Sequence, residues 1–171
     1  GMYYMISSGD VLMLFIGLEM STLPVAALAA YEVLRMRSAE SGIKMILMAG
    51  LASAVTLMGI SFLYGATGTF SLEGLSRQLT GTGLETLGFL FFFAGIPFKI
   101  SLVPFHFWAP DVYEGAPTGV AAYLSVVSKG AAVFILMILL LGFAPALSGI
   151  WTGVLYLLAL LTMTIGNLFA L

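Results

Sequence analysis

Residues 84–108 read LETLGFLFFFAGIPFKISLVPFHFW, and this stretch decides the fold. It is long enough to cross the hydrocarbon core of a bilayer, which takes about 20 apolar residues in a helix. Pro97 and Pro104 interrupt it, and Pro110 follows closely. Proline removes a backbone donor and clashes with the carbonyl four residues earlier. The sequence therefore predicts a membrane helix that is broken around Lys99 to Pro104.

The rest of the 171-residue chain is also strongly apolar. Hydrophobic residues make up 61% of it and charged residues only 8%, whereas a soluble domain carries about 25% charged residues. The runs lack the alternation of a strand barrel, and lipid favours helices because they satisfy their own backbone groups. The sequence thus predicts an all-α membrane protein, a single bundle over residues 1–171. Its five transmembrane helices lie roughly at 11–31, 43–64, 84–108, 118–142 and 149–171.

Composition argues against several functions. The net charge is −2 and the six basic residues form no dense patch, so nucleic acid is not an expected partner. The absence of cysteine excludes disulfides, thiolate metal sites and cysteine-ligated iron–sulfur clusters. With a single histidine and scattered acids, no metal site is expected, and no flavin or other cofactor of its own is predicted.

The distribution of basic residues predicts the orientation. Arg35, Arg37 and Lys44 cluster after the first span, and only Arg77 lies between the second and third. Cytoplasmic loops carry an excess of lysine and arginine. The first loop is therefore expected in the cytoplasm, with the N-terminus outside and the C-terminus, after five crossings, inside.

Three connections carry more specific predictions. A short interfacial helix capped by Ser71 is expected before the third span, because apolar residues recur there at helical spacing. A solvated loop containing Asp111 and Glu114 is expected over residues 109–117. A tight turn is expected over residues 143–148.

Three charged residues lie within the apolar spans: Glu19, Lys99 and Lys129. A charge at the centre of a bilayer costs about 2.5–3.5 kcal/mol on insertion scales, and such residues usually pair or line an ion or proton path. Snorkelling explains Lys129 poorly, because mid-span is ~15 Å from either interface, but it remains open for Lys99. His106 titrates near neutral pH when unperturbed and is a tentative fourth relay member, with a purely structural role as the alternative.

Proton transfer fits this set of residues. A nearby carboxylate stabilises the charged form of a buried lysine, so separation of the two favours proton release. Discontinuous helices beside buried charges recur in transporters. Lysines on different helices would need water chains between them, because packed helix axes lie about 8–10 Å apart. The alternative is a structural or assembly module, in which the buried charges only fix helix register.

The segment 95–117, GIPFKISLVPFHFWAPDVYEGAP, closely resembles the signature of the antiporter-like membrane subunits of respiratory complex I. Supporting matches are GLE at 17–19, SVVSK at 125–129 and GNL at 166–168. The related Mrp antiporter subunits typically read closer to W-L-P-D-A-H where this chain has WAPDVY at 108–113.

The resemblance implies a fold built from two inverted helical repeats. These five spans would form most of one antiporter-like inverted repeat, in a fragment of a larger subunit. It implies that Glu19 pairs with Lys99, that Lys129 continues the relay, and that His106 has no assigned role. The parent would be a bacterial inner-membrane NADH–quinone oxidoreductase, a translocase driven by quinone reduction, with other membrane subunits as partners. A cation/proton (Mrp-type) antiporter subunit is the alternative. No covalent bond is expected to be made or broken in this chain, so whether it counts as an enzyme stays open.

Overall fold

The computed structural model describes residues 1–32 and 34–169, with side chains throughout except those of 144–150. The described residues form helices joined by short links, and they contain no β-strand. The helices are α1 (Met2–Ile6), α2 (Val11–Ala29), α3 (Met36–Thr67), α4 (Leu72–Gln78), α5 (Gly83–Phe93), α6 (Gly95–Ile100), α7 (Trp108–Gly115), α8 (Thr118–Tyr123), a π-helical turn (Leu124–Ser128) and α9 (Lys129–Phe169).

Five stretches of the described chain are long and apolar enough to cross a membrane, which confirms the all-α fold with five candidate spans. They are Val11–Ala29, Met36–Thr67, Gly83–Ile100, Thr118–Phe143 and Trp151–Phe169. The second differs most from its predicted bounds of 43–64. At 1.5 Å per residue its 32 residues extend about 48 Å, beyond the ~30 Å hydrocarbon core. Its N-terminal extension, residues 36–42, carries the charged residues Arg37 and Glu40.

Helix α9 contains two spans that run in opposite directions. Its 41 residues would extend about 62 Å as one straight helix, twice the bilayer core. Between residues 129 and 143, α9 contacts earlier and earlier residues of the α5–α7 segment, from Tyr113 to Phe89. Between residues 151 and 162, it contacts later and later residues of that segment, from Phe89 to Val103. The contacts are Lys129–Tyr113, Phe143–Phe89, Trp151–Phe89 and Thr162–Val103. Most of the residues in the turn predicted over 143–148 have side chains outside the described set.

The third span is broken, as predicted. Helix α5 ends at Phe93, α6 ends at Ile100, and residues 101–107 are irregular. Protein groups satisfy the backbone that the break exposes, as membrane depth requires. The pairs are Leu102 N to the Pro97 carbonyl at 2.8 Å, Trp108 Nε1 to the Phe98 carbonyl at 3.1 Å, and Val103 N to Thr162 Oγ1 at 3.2 Å.

The prediction of a loop over residues 109–117 was wrong, because helix α7 occupies most of it. Tertiary contacts stabilise α7: Asp111 accepts a hydrogen bond from Lys44 at 2.8 Å, and Glu114 accepts one from Arg37 at 2.7 Å. Its apolar face is buried against α3. The connections after the first and third spans therefore share one end of the bundle.

The predicted short helix with a Ser71 cap is present as α4. The Ser71 side chain caps it by accepting a hydrogen bond from Gly74 N at 3.3 Å. Its Leu75 is fully buried in the core. This helix closes the end of the bundle opposite α7, where the second and third spans meet.

Helices α3 and α5 cross closely at two glycines, Gly59 and Gly88. A Cβ atom on Gly59 would lie 2.0 Å from Phe92 N and 2.6 Å from the Gly88 carbonyl oxygen. Both neighbours are backbone atoms, so they cannot move aside as a flexible side chain would. This crossing brings the third span against α3 and thereby positions the break.

We expect Gly59→Val to destabilise the protein by about 1–3 kcal/mol, the usual effect of overpacking a filled interface. The measurement is the thermal unfolding midpoint of the purified parent protein in detergent. Gly50→Val is the matched control on the same helix, because a Cβ there meets no atom within 4 Å. Equal midpoints for the two variants would contradict the close crossing.

Candidate functional site

A small cavity lies between α2, α3 and α6, at the depth of the helix break. It offers about 20 Å³ to the centre of a water molecule, and about 10–15 Å³ is enough for one water. Both predicted members of the central pair line it. Its polar lining consists of Glu19, Thr22, Ser53, Thr56 and Lys99.

Lys99 is held in the last turn of α6, just before the irregular segment. Its side chain is 2% exposed, and its Nζ donates a hydrogen bond to Thr22 Oγ1 at 2.9 Å. Thr22 is itself buried, and its hydroxyl donates to the Leu18 carbonyl at 2.7 Å. The threonine is thus oriented to accept from lysine. Snorkelling does not explain Lys99, because its ammonium points into the protein.

Glu19 lies on the same face of α2, three residues before Thr22. Ser53 Oγ of α3 donates a hydrogen bond to its carboxylate, and the same oxygen lies 2.8 Å from the Ala49 carbonyl. One hydroxyl proton serves only one acceptor at a time. Ser53 therefore donates either to the Glu19 carboxyl group or to the Ala49 carbonyl.

Glu19 and Lys99 face one cavity without direct contact. Among the ion pairs of the described side chains, none joins the two within 4.0 Å. The Glu19 charge still acts on Lys99 electrostatically. The arrangement is an open pair in which each partner is held by a neighbouring hydroxyl.

Lys129 follows the π-helical turn and lies outside this cavity. Its ammonium lies 5.2 Å from the centroid of the Tyr113 ring. Its side chain is half-buried. The structure therefore does not bring Lys129 into contact with Lys99.

His106 lies in the irregular segment after Lys99. Its ring centroid lies 4.3 Å from that of Phe107, with the rings tilted by 35°, and 5.8 Å from that of Phe169. Its Nδ1 is buried and has no hydrogen-bond partner among the described residues. The structure gives it no contact with the two lysines.

Sequence reasoning missed the hydroxyl partners Thr22 and Ser53. A usable signal existed for Thr22, because residues three apart share a helix face and Thr22 follows Glu19 at that interval. Ser53 carried no comparable signal, since its partner lies on another helix. Together these hydroxyls stabilise separated charges at a depth where each alone would be costly.

Five candidate spans around a buried lysine and a partly buried carboxylate define a class: multi-pass membrane proteins with ionisable groups in the interior. A family model described as "NADH:quinone oxidoreductase/Mrp antiporter, TM" matches residues 8–171. The chain belongs to this family.

Known proteins of the family resemble the chain over much of its length. "NADH-quinone oxidoreductase subunit N" of Phocaeicola vulgatus is 49% identical over 171 residues, which are all of this chain and 36% of the relative. A chain of respiratory complex I from Thermus thermophilus superposes with a TM-score of 0.71 and 37% identity, covering 79% of this chain and 30% of that one. A chain of the membrane-bound sulfane sulfur reductase, an archaeal respiratory membrane complex, superposes with a TM-score of 0.83 and 29% identity, covering 92% and 32%. The chain thus spans about a third of these relatives.

We expect Thr22→Val to lower stability by about 1–3 kcal/mol, because the buried Lys99 ammonium loses its acceptor. Thr22→Ser keeps the hydroxyl and should retain most of the stability. The measurement is the thermal unfolding midpoint of the parent protein. The matched control is Thr164→Val, since that exposed hydroxyl donates only within its own helix, to Leu160. A midpoint for Thr22→Val equal to that of the control would refute the role of this hydrogen bond.

Proposed function

We propose that the chain forms part of a proton-translocating membrane subunit of a bacterial NADH–quinone oxidoreductase, of the subunit N type. Neighbouring membrane subunits of that complex are its partners, and the bacterial inner membrane is its location. One observation carries the proposal: a fully buried lysine in a broken helix shares a cavity with a carboxylate. The names of the curated relatives and the family support it.

The proposed relay begins with the open pair of Glu19 and Lys99. Closing the pair would exchange the Thr22 and Ser53 hydrogen bonds for a direct ion pair. A charge change elsewhere in the complex, driven by quinone reduction, shifts the balance between the two arrangements. The open arrangement favours proton release from Lys99, because the compensating carboxylate is farther away.

Lys129 receives the proton next in this proposal, through bridging water. His106 is a tentative further member, because its buried Nδ1 lies in the break between the two lysines along the chain. Substitution of any single relay residue is expected to impair proton transfer along the whole path, since each transfer depends on the one before it.

Two other functions remain as test outcomes. A cation/proton (Mrp-type) antiporter subunit has the same family assignment, but the WAPDVY sequence at 108–113 and the subunit N relatives favour the oxidoreductase. Transport that depends on sodium would favour the antiporter. A structural module predicts that neutral polar substitutions leave pumping unchanged.

We also propose that the connection after the first span faces the cytoplasm. Arg35 lies in it, Arg37 and Lys44 lie in the first turns of α3, and the structure brings α7 to the same end through ion pairs. The start of α2 then lies on the outer side and the C-terminus inside, while Gly1 itself lies beside Ser21, about halfway along α2.

We expect Lys99→Gln and Glu19→Gln to abolish coupled pumping, because each removes a charge that the relay requires. The measurement is the number of protons moved per quinone reduced, in proteoliposomes containing the assembled parent complex. Arg77→Gln is the control, since this surface residue forms its ion pair with the exposed Glu73 at the bundle end away from the cavity. If both Gln variants move the normal number of protons per quinone at normal turnover, the relay is ruled out. That result would favour a purely architectural role for the two charged residues.

Orientation is testable because the sequence has no cysteine. Leu34→Cys places a thiol at a fully exposed site in the first connection, and Gln78→Cys places one at the opposite end. In a parent subunit free of other accessible cysteines, a membrane-impermeant thiol reagent should label position 34 only in inside-out vesicles. Position 78 should react only in right-side-out vesicles. The reverse pattern would invert the proposed topology.

A further inference from the structure

Lys129 has an unusual environment for a lysine within a membrane span. Within the described part of the chain its ammonium forms no hydrogen bond and no ion pair. The ammonium instead lies over the face of the Tyr113 ring, with its nitrogen 5.2 Å from the ring centroid. A cation within about 6 Å of an aromatic centroid is attracted by the ring quadrupole, more strongly where water is excluded.

The surroundings of Tyr113 fix the position of its ring. It lies on α7 between Asp111 and Glu114, whose carboxylates both form ion pairs with α3. Its ring centroid lies 6.4 Å from that of the buried Trp108. The Trp108 indole in turn donates to the Phe98 carbonyl, adjacent to Lys99. The ring is therefore attached to the same broken segment that carries Lys99.

The backbone before Lys129 is also specialised. The π-helical turn Leu124–Ser128 directly precedes it. Such single turns within α-helices are frequent at functional sites, where they alter the direction of the side chains that follow. Here the turn ends one residue before Lys129, whose ammonium meets the Tyr113 ring.

We propose that Tyr113 is a positioning residue, whose aromatic face holds the Lys129 ammonium and couples it to the broken segment. This inference rests on the proposed proton-translocating function and adds a specific residue to it. The ring face carries the role, and the hydroxyl does not. The attachment gives the relay a fixed contact between the segment of Lys99 and the helix of Lys129.

The experiment measures protons moved per quinone reduced in proteoliposomes of the assembled parent complex. Tyr113→Leu removes the ring, and Tyr113→Phe removes only the hydroxyl. Pentafluorophenylalanine at position 113 keeps the shape of phenylalanine and reverses the charge distribution of its face. Lys129→Met tests the proposed function itself. Tyr31→Leu is the control, because this tyrosine is 73% exposed outside the spans.

We expect the proton ratio to fall in the Leu and pentafluorophenylalanine variants and to be rescued by Phe. If Leu prevents assembly, the comparison of the two phenylalanines decides, because they have nearly the same shape. Equal ratios for phenylalanine and its fluorinated form would overturn the inference, as would a Phe variant that loses pumping. If Lys129→Met lowers the ratio while Tyr113→Leu does not, the proposed function stands and the inference fails. Normal pumping by Lys129→Met would overturn the role of Lys129 in both.

Discussion

The burial of the Lys99 ammonium is the constraint on which the rest of the structure depends. An ammonium at membrane depth needs compensation, because lipid offers no polar partner. Thr22 supplies an acceptor at 2.9 Å, and Glu19 supplies a negative charge across a small cavity. Both come from α2, so that helix must pack beside the break in the third span. The close crossing of α3 and α5 keeps the third side of the cavity in place.

The break imposes a second set of requirements. Interrupting a helix frees backbone groups that lipid cannot satisfy. Residues distant in sequence satisfy these groups. The Trp108 indole N–H donates a hydrogen bond to the Phe98 carbonyl, and Val103 N donates one to the Thr162 hydroxyl oxygen. The last span and α7 are therefore part of the support for the site.

Helix α7 connects the two halves of the candidate relay. Its ion pairs with α3 fix it at one end of the bundle, and its Tyr113 ring meets Lys129. The same helix carries Trp108, which contacts the backbone next to Lys99. Packed side chains therefore join the segment of Lys99 to the helix of Lys129, as the proposed relay requires.

Features that depend on local chemistry could be predicted from the order of the residues. Apolar length predicted five spans, Pro97 and Pro104 predicted the break, and the Ser71 hydroxyl predicted the cap of α4. The structure alone decided the partners of the charges: Lys99 meets Thr22, 77 residues away, and Glu19 meets Ser53, 34 residues away. It also turned the expected loop over 109–117 into α7. These features depend on how helices pack, and neither a residue's type nor its immediate neighbours record which helix will lie beside it.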